Sequence, residues 1–189
     1  MINELILKNR SYRRFIQGHS IEISTLKKLV NLARLSASAN NIQPLKYLLS
    51  ADLKTNNLIF PQLGWAGSLP DWPGPDEGER PSAYIIILGD KNITQNFYCD
   101  HGIAAQSILL GAVELELGGC MMGTIKRAAL QEALNIPANL EILLVIALGK
   151  PAENILLEEL KPDGDTKYWR DENGGHHVPK RSLEDIIIL

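Results

Sequence analysis

The amino-acid sequence predicts an α+β fold in which helices pack on a small sheet. Apolar positions recur at helical spacing in more segments than form short β-branched runs, and those runs are not spaced as regular βαβ units. Neither G-x-G-x-x-G after a strand nor G-x-x-x-x-G-K-[ST] occurs, so a Rossmann or P-loop nucleotide site has no support. The 189 residues show no internal repeat or break in composition, and the chain reads as one domain over 1–189.

A short helix leads into "KNRSYRRF" (8–15). "STLKKLVNLARL" (24–35) sets Leu26, Leu29, Val30 and Ala33 at helical spacing behind Ser24, a residue type that caps helices. "SASANNIQP" (36–44) is rich in turn formers, Pro44 stops any helix, and "LKYLLS" (45–50) follows as a strand. Residues 61–81 hold five of the ten prolines with Trp65 and Trp72, an irregular segment long enough to be a lid or binding loop. "SAYIIILGD" (82–90) is a buried strand between Pro81 and Gly89. "DHGIAAQSILLGAVELELG" (100–118) is the longest helix, with Asp100 as its cap. Ile103, Ile108, Leu109, Leu110, Val113, Leu115 and Leu117 surround most of it, so it must be buried in a core or against another subunit. "GGCMMG" (118–123) reads as a tight turn, "IKRAALQEALNIP" (125–137) as a helix stopped by Pro137, and "EILLVIALGKP" (141–151) as a second buried strand. The tail is a polar, loop-like 161–181 followed by "SLEDIIIL", whose last four residues read as a terminal strand.

Composition narrows the function. The net charge of −3 argues against nucleic acid as the main partner, because a phosphate backbone wants a basic face. Two cysteines, Cys99 and Cys120, are too few for a disulfide framework and indicate a reducing compartment. Glu4 precedes any apolar run, which argues against a signal peptide, and no run approaches the ~20 apolar residues of a membrane span. A cytoplasmic protein that engages neither membrane nor nucleic acid is expected.

Against this acidic background, "KNRSYRRF" concentrates four basic side chains and a serine in eight residues. Such a cluster is either a solvated surface or an anion site, in which forked guanidiniums and a hydroxyl converge on a phosphate.

Four segments in one order, "RSYRRF" (10–15), "SASANNIQP" (36–44), "GGCMMG" (118–123) and "HVPKR" (177–181), together resemble the FMN-dependent nitroreductase family. The resemblance covers nearly the whole chain and implies a small, mainly antiparallel sheet flanked by helices in an intertwined homodimer. It places Arg10, Ser11, Arg13 and Phe15 in the segment that grips the FMN phosphate, with Asn9 standing where relatives often carry a basic residue. It places Ser38, Asn41, Gln43 and Pro44 in a loop that lines the flavin from the partner subunit, with Leu45 where a large aromatic is common. Met122 and Gly123 fall beside the reactive edge of the flavin, and one of Lys180 and Arg181 falls on the phosphate. The donor chemistry agrees: a phosphate monoester presents nearly two negative charges and three acceptor oxygens, and basic charge in an acidic protein fits a bound anionic cofactor.

The resemblance implies an FMN-dependent oxidoreductase that uses NADH or NADPH to reduce a nitroaromatic, a quinone or a similar small-molecule acceptor by a ping-pong mechanism, with no catalytic side chain. Two other readings stand beside it: a relative dedicated to dehalogenation or flavin breakdown, and a flavin-binding or redox-sensing module without turnover. The remaining conspicuous residues are given ordinary roles. Met121 fills core and the claim for Met122 concerns its backbone; Cys120 is a small buried hydrophobe. His176 and His177 lie in a surface loop rather than on a metal. His101 is read as structural, the other reading being a place near the flavin, and Trp65 and Trp72 as lid packing, the other reading being aromatic walls for a substrate.

Overall fold

The computed structural model describes residues 1–161 and 164–188. Its centre is the apolar run over Ala83–Asp90 (β2), whose first seven residues are buried. Successive side chains of a strand point to opposite faces, so a strand apolar at every position needs cover on both. β2 pairs antiparallel with Leu45–Ser50 (β1) and with Leu140–Gly149 (β4), and Gly118–Met122 (β3) pairs antiparallel with β4, giving the order β1-β2-β4-β3.

One face packs Ile85, Ile87, Ile146 and Leu148 against the helices Ile23–Leu35 (α2) and Asp100–Glu114 (α4). The other packs Tyr84, Ile86, Leu88, Val145 and Ala147 against Ile59, Trp65 and Leu130. Here lie the helices Leu53–Ile59 (α3) and Arg127–Ala133 (α5). The β2–β4 register shifts between Ile87 and Leu88, whose partners are Leu144 and Ile142. Leu143 is thus the extra residue of a bulge, and beyond it Ile142 joins the second face. The N-terminal helix is Ile2–Lys8 (α1). A second sheet of Ile155–Glu159 (β5), Trp169–Arg170 (β6) and His176–Lys180 (β7), ordered β5-β7-β6, lies outside this core.

Several expectations need correction. "GGCMMG" is not a turn: β3 is a strand, and Gly119 is needed because a Cβ there would lie 2.7 Å from the Ala147 carbonyl oxygen. Ser24 is inside the first turn of α2, whose cap position is Glu22, without a side-chain cap bond. α4 stops at Glu114, and Asp100 is its first residue rather than its cap. The polar tail contains β6 and β7, which pair with β5 just before it, and His176 and His177 are buried on β7 instead of sitting in a surface loop. No strand forms over 181–188; Ile186, Ile187 and Ile188 are exposed, and Leu189 lies outside the described residues. α3 had no counterpart in the sequence reading; Asp52 caps it by accepting a bond from the Thr55 N–H at 2.8 Å.

Among the described residues no helix is long and apolar enough to cross a membrane, and no cluster of His, Cys, Asp and Glu could hold a metal ion.

Candidate active site

α1 ends at Lys8, and Asn9 turns the chain into an extended conformation. Residues 10–17 are then threaded along the edge of the main sheet. The Tyr12 N–H donates to the Gly119 carbonyl at 3.0 Å, Ile16 N–H to Lys150 at 2.8 Å and Phe15 N–H to Glu79 at 2.9 Å. Phe15 is fully buried against Gly149, and the Arg14 guanidinium forks onto the Glu79 carboxylate. These anchors fix the backbone and leave Arg10 and Arg13 half-buried, with Ser11 exposed between them.

Arg10 donates through Nη2 to the Ile6 carbonyl at 2.6 Å, while its buried Nε has no hydrogen-bond partner among the described residues. A buried donor without a partner is costly, and an anion at this edge would satisfy it. Arg13 donates weakly to the Ser11 carbonyl (3.3 Å), and its guanidinium lies 4.5 Å over the Tyr168 ring. The Glu153 carboxylate accepts from the backbone N–H of Arg13 and, at 3.2 Å, from that of Arg14. Arg10, Ser11 and Arg13 are therefore brought together on one short strip.

The second predicted group is organised by a residue with another assigned role. Asp100, almost fully buried, accepts from Ser38 Oγ at 2.6 Å and from the Ala39 N–H at 2.9 Å. Ser38 Oγ in turn accepts from the Gln43 N–H at 2.9 Å. This lock holds a backbone in which Asn40, Asn41 and Gln43 all have positive φ (50°, 55° and 53°), a conformation non-glycine residues rarely adopt. The Asn41 and Gln43 side chains are left exposed. Beside them lies a pocket of ≈ 160 Å³ lined by Ser38, Gln43, Tyr47 and Asp100. Burial, and then the Asp100 charge, push the Tyr47 phenol up to about 12, so it stays a neutral donor at ordinary pH.

Both groups attach to α4. Asn9 donates to Gln106 at 3.3 Å, six residues along the helix from Asp100. Six residues are about 9 Å of rise and a rotation of about 120° from the starting face, so within one chain the strip and the loop lie on different sides of the helix.

Met122 is buried in the core and pairs with Val145, whereas the adjoining Gly123 is exposed. A Cβ built on Gly123 meets nothing within 4 Å, and its φ is outside the left-handed region. Lys180 and Arg181 are exposed and line a groove with Leu157–Lys161. No hydrogen bond, ion pair or ring contact among the described residues joins them to Arg10, Ser11 or Arg13. Lys180 is four strand residues, roughly 13 Å, beyond His176, which is the member of β7 that approaches Arg13. Burial raises the Cys120 thiol, as expected of an inert cysteine. His101 is half-buried, and its Nδ1 has no partner among the described residues. Trp65 packs on Phe60 and Trp72, as lid packing requires. Sequence reasoning missed Asp100, Glu153, Tyr168 and His176 as neighbours of the site.

The nitroreductase family model matches residues 75–150 of the chain. Superposed on solved structures, the whole chain overlays a provisionally named nitroreductase of Desulfovibrio desulfuricans, solved in complex with FMN, with a TM-score of 0.72. Identity is 22%, covering 100% of this chain and 95% of the other. The fold is the nitroreductase fold. A structure described as an FMN-dependent nitroreductase of Clostridium difficile R20291 gives a TM-score of 0.65 at 22% identity over 82% of this chain and 89% of that one. A curated protein of Archaeoglobus fulgidus, provisionally named NADH dehydrogenase/NAD(P)H nitroreductase, is 27% identical over 158 residues, 79% of this chain and 85% of its own. The nitroreductase resemblance read from four short motifs is thus met by the family model and by the fold.

Proposed function

We propose that the protein is a cytoplasmic, homodimeric, single-domain FMN oxidoreductase that draws on NADH or NADPH to reduce a small acceptor such as a nitroaromatic or a quinone. The observation that carries this reading is the strip of Arg10, Ser11 and Arg13, with its unsatisfied Arg10 Nε, on a chain with the nitroreductase fold. Two guanidiniums and a hydroxyl fit a phosphate monoester, and Arg10 Nε is the orphaned donor that such an anion would engage.

When bound, FMN would supply the redox chemistry that links a reduced nicotinamide to the acceptor. The chain's own residues bind and shape. Arg10, Ser11 and Arg13 hold the phosphate; Ser38, Asn41 and Gln43 offer hydroxyl and amide partners to the polar chain and ring edge. Exposed Gly123, next to Met122, lets backbone approach a flat ring closely. Because the 38–43 loop lies on a different side of α4 from the strip, it is assigned to the neighbouring subunit's site, and Lys180 or Arg181 completes the phosphate shell in the assembled dimer. Half-buried Ile103, Leu110 and Val113 on α4, with exposed Leu35 and Leu115, supply an apolar surface for that dimer. Donor and acceptor taking turns over one face gives ping-pong kinetics without a catalytic side chain.

The test is direct. Purified protein should be yellow, release FMN rather than FAD on denaturation, and be bleached anaerobically by NADH or NADPH. A colourless protein that added FMN cannot reconstitute would end the reading.

A further inference from the structure

Strand alternation sorts the side chains of the small sheet into two sets. The register places Arg170 opposite His176 and Trp169 opposite His177. Tyr168, Arg170 and His176 therefore share one face, and Trp169, Asp171, His177 and Glu158 the other.

The first face backs the anion-binding strip. Tyr168 lies under the Arg13 guanidinium, and His176 Nε2 is 3.4 Å from Arg13 Nη1. Arg170 donates at 3.2 Å to Glu153, the carboxylate that receives the backbone N–H groups of Arg13 and Arg14. The second face is held by one side chain. His177 Nδ1 is 2.5 Å from Glu158 Oε1, its Nε2 is 2.9 Å from Asp171 Oδ2, and its ring stacks on Trp169 at 3.9 Å and 4°. A carboxylate only accepts, so both ring nitrogens must donate, and an imidazole that donates twice is positively charged. The face of an indole favours that charge. Glu158 comes from β5, Asp171 directly follows β6 and His177 sits on β7, so one charged ring staples all three strands. These two carboxylates are the titratable groups facing it from the neighbouring strands, while His176, next on β7, is turned to the opposite face.

We infer that His177, as an imidazolium stapled between Glu158 and Asp171, is a positioning residue that sets the small sheet against Arg13 and so keeps the FMN-phosphate strip in its binding shape. This rests on the flavin reading above. The electrostatics of the two adjacent histidines support it. Bonds to Asp171 and Glu158 hold His177 above its ordinary range. Burial, with help from Arg13 and Arg170 and against Glu153, holds His176 below it. A raised His contributes stability that is full below its unfolded value of about 6.5 and is lost as pH rises through the folded value. A lowered His has the opposite sign: the penalty for its burial grows as pH falls below about 6.5 toward the folded value. The sheet is thus best ordered between the two, with His176 neutral beside Arg13 and His177 charged.

The experiment follows the His177 ring signals by NMR in the apoprotein and measures FMN affinity over the same pH range. His177 should titrate above about 6.5, and FMN affinity should fall about 10-fold as pH rises through the same midpoint, within the 5- to 150-fold of ordinary site couplings. The FMN phosphate itself titrates near 6, below this limb. Glu158→Gln should move both midpoints down together, and His177→Gln should abolish the limb while leaving hydrogen exchange in β2 and β4 unchanged. FMN affinity that stays flat while His177 titrates, or a His177 midpoint at or below 6.5, overturns the positioning role alone. A protein that binds no FMN at any pH overturns the flavin reading and this one with it.

Discussion

The two sheets of this molecule are held together by different physics. In the main sheet β2 is buried at seven consecutive positions, and both faces are covered by apolar side chains. In the small sheet the contacts are an imidazole between two carboxylates, an Arg170–Glu153 ion pair and guanidiniums over Tyr168 and Trp72. Hydrophobic burial does not depend on proton concentration, whereas charge-assisted contacts do. The main sheet is therefore the constant part of the structure, and the small sheet the part whose order responds to pH and to the anion beside it.

The largest effect should come from breaking the main sheet. Ile86→Ala removes a fully buried side chain and should cost about 2–5 kcal/mol, read by denaturant unfolding and equal at pH 6 and pH 8. A strong pH dependence of that cost would erase the contrast. Next, Arg13→Ala removes a charge-assisted bond of roughly 1.5–3 kcal/mol and should weaken FMN binding on the order of 10- to 150-fold, with the main sheet intact by circular dichroism. Unchanged affinity in both Arg13→Ala and Arg10→Ala would return the cluster to solvated surface. A smaller, local effect separates the sheets without mutation. Hydrogen exchange in β5–β7 should accelerate as pH rises through the His177 midpoint, beyond the intrinsic pH dependence of exchange, while β2 and β4 stay protected. Uniform acceleration in both sheets would show that they unfold together. The smallest effects belong to the β3 edge. Met122→Leu conserves volume and should cost less than about 1.5 kcal/mol. Gly123→Val meets no neighbour and no strained φ, so unfolding should be unchanged while FMN binding or reduction suffers. A Gly123→Val protein that reduces flavin normally would remove the end of β3 from the site.

The same contrast explains what the sequence made readable. β2, β4 and α4 announce themselves because a buried strand or helix must be apolar along its length, and "YIIIL" and "ILLVIAL" are. β3 was hidden by its glycines, which read as turn punctuation but here leave room for the Tyr12 and Pro151 side chains at Gly118 and for the Ala147 carbonyl at Gly119. β5 to β7 were hidden because their stabilising partners are polar, and a histidine in a polar run gives no sign of burial. In the site, Arg10, Ser11 and Arg13 are readable because they are adjacent in sequence. Asp100 and Glu153 are not, because their partners lie 62 and 140 residues away and no local spacing encodes such a meeting.

That long reach sets an order of assembly. The strip at 10–17 leaves the ribosome before its backbone partners Gly78, Glu79, Gly119, Lys150 and Ala152, and Glu153 and His176 come later still. Contacts of such separation form late, because loop closure precedes any gain from them. The N-terminal strip must wait, unpaired, while the main sheet is synthesised and closes. Competence to capture a phosphate should therefore appear in refolding as a phase after the main sheet has formed, and a chain truncated before residue 153 should collapse without acquiring it.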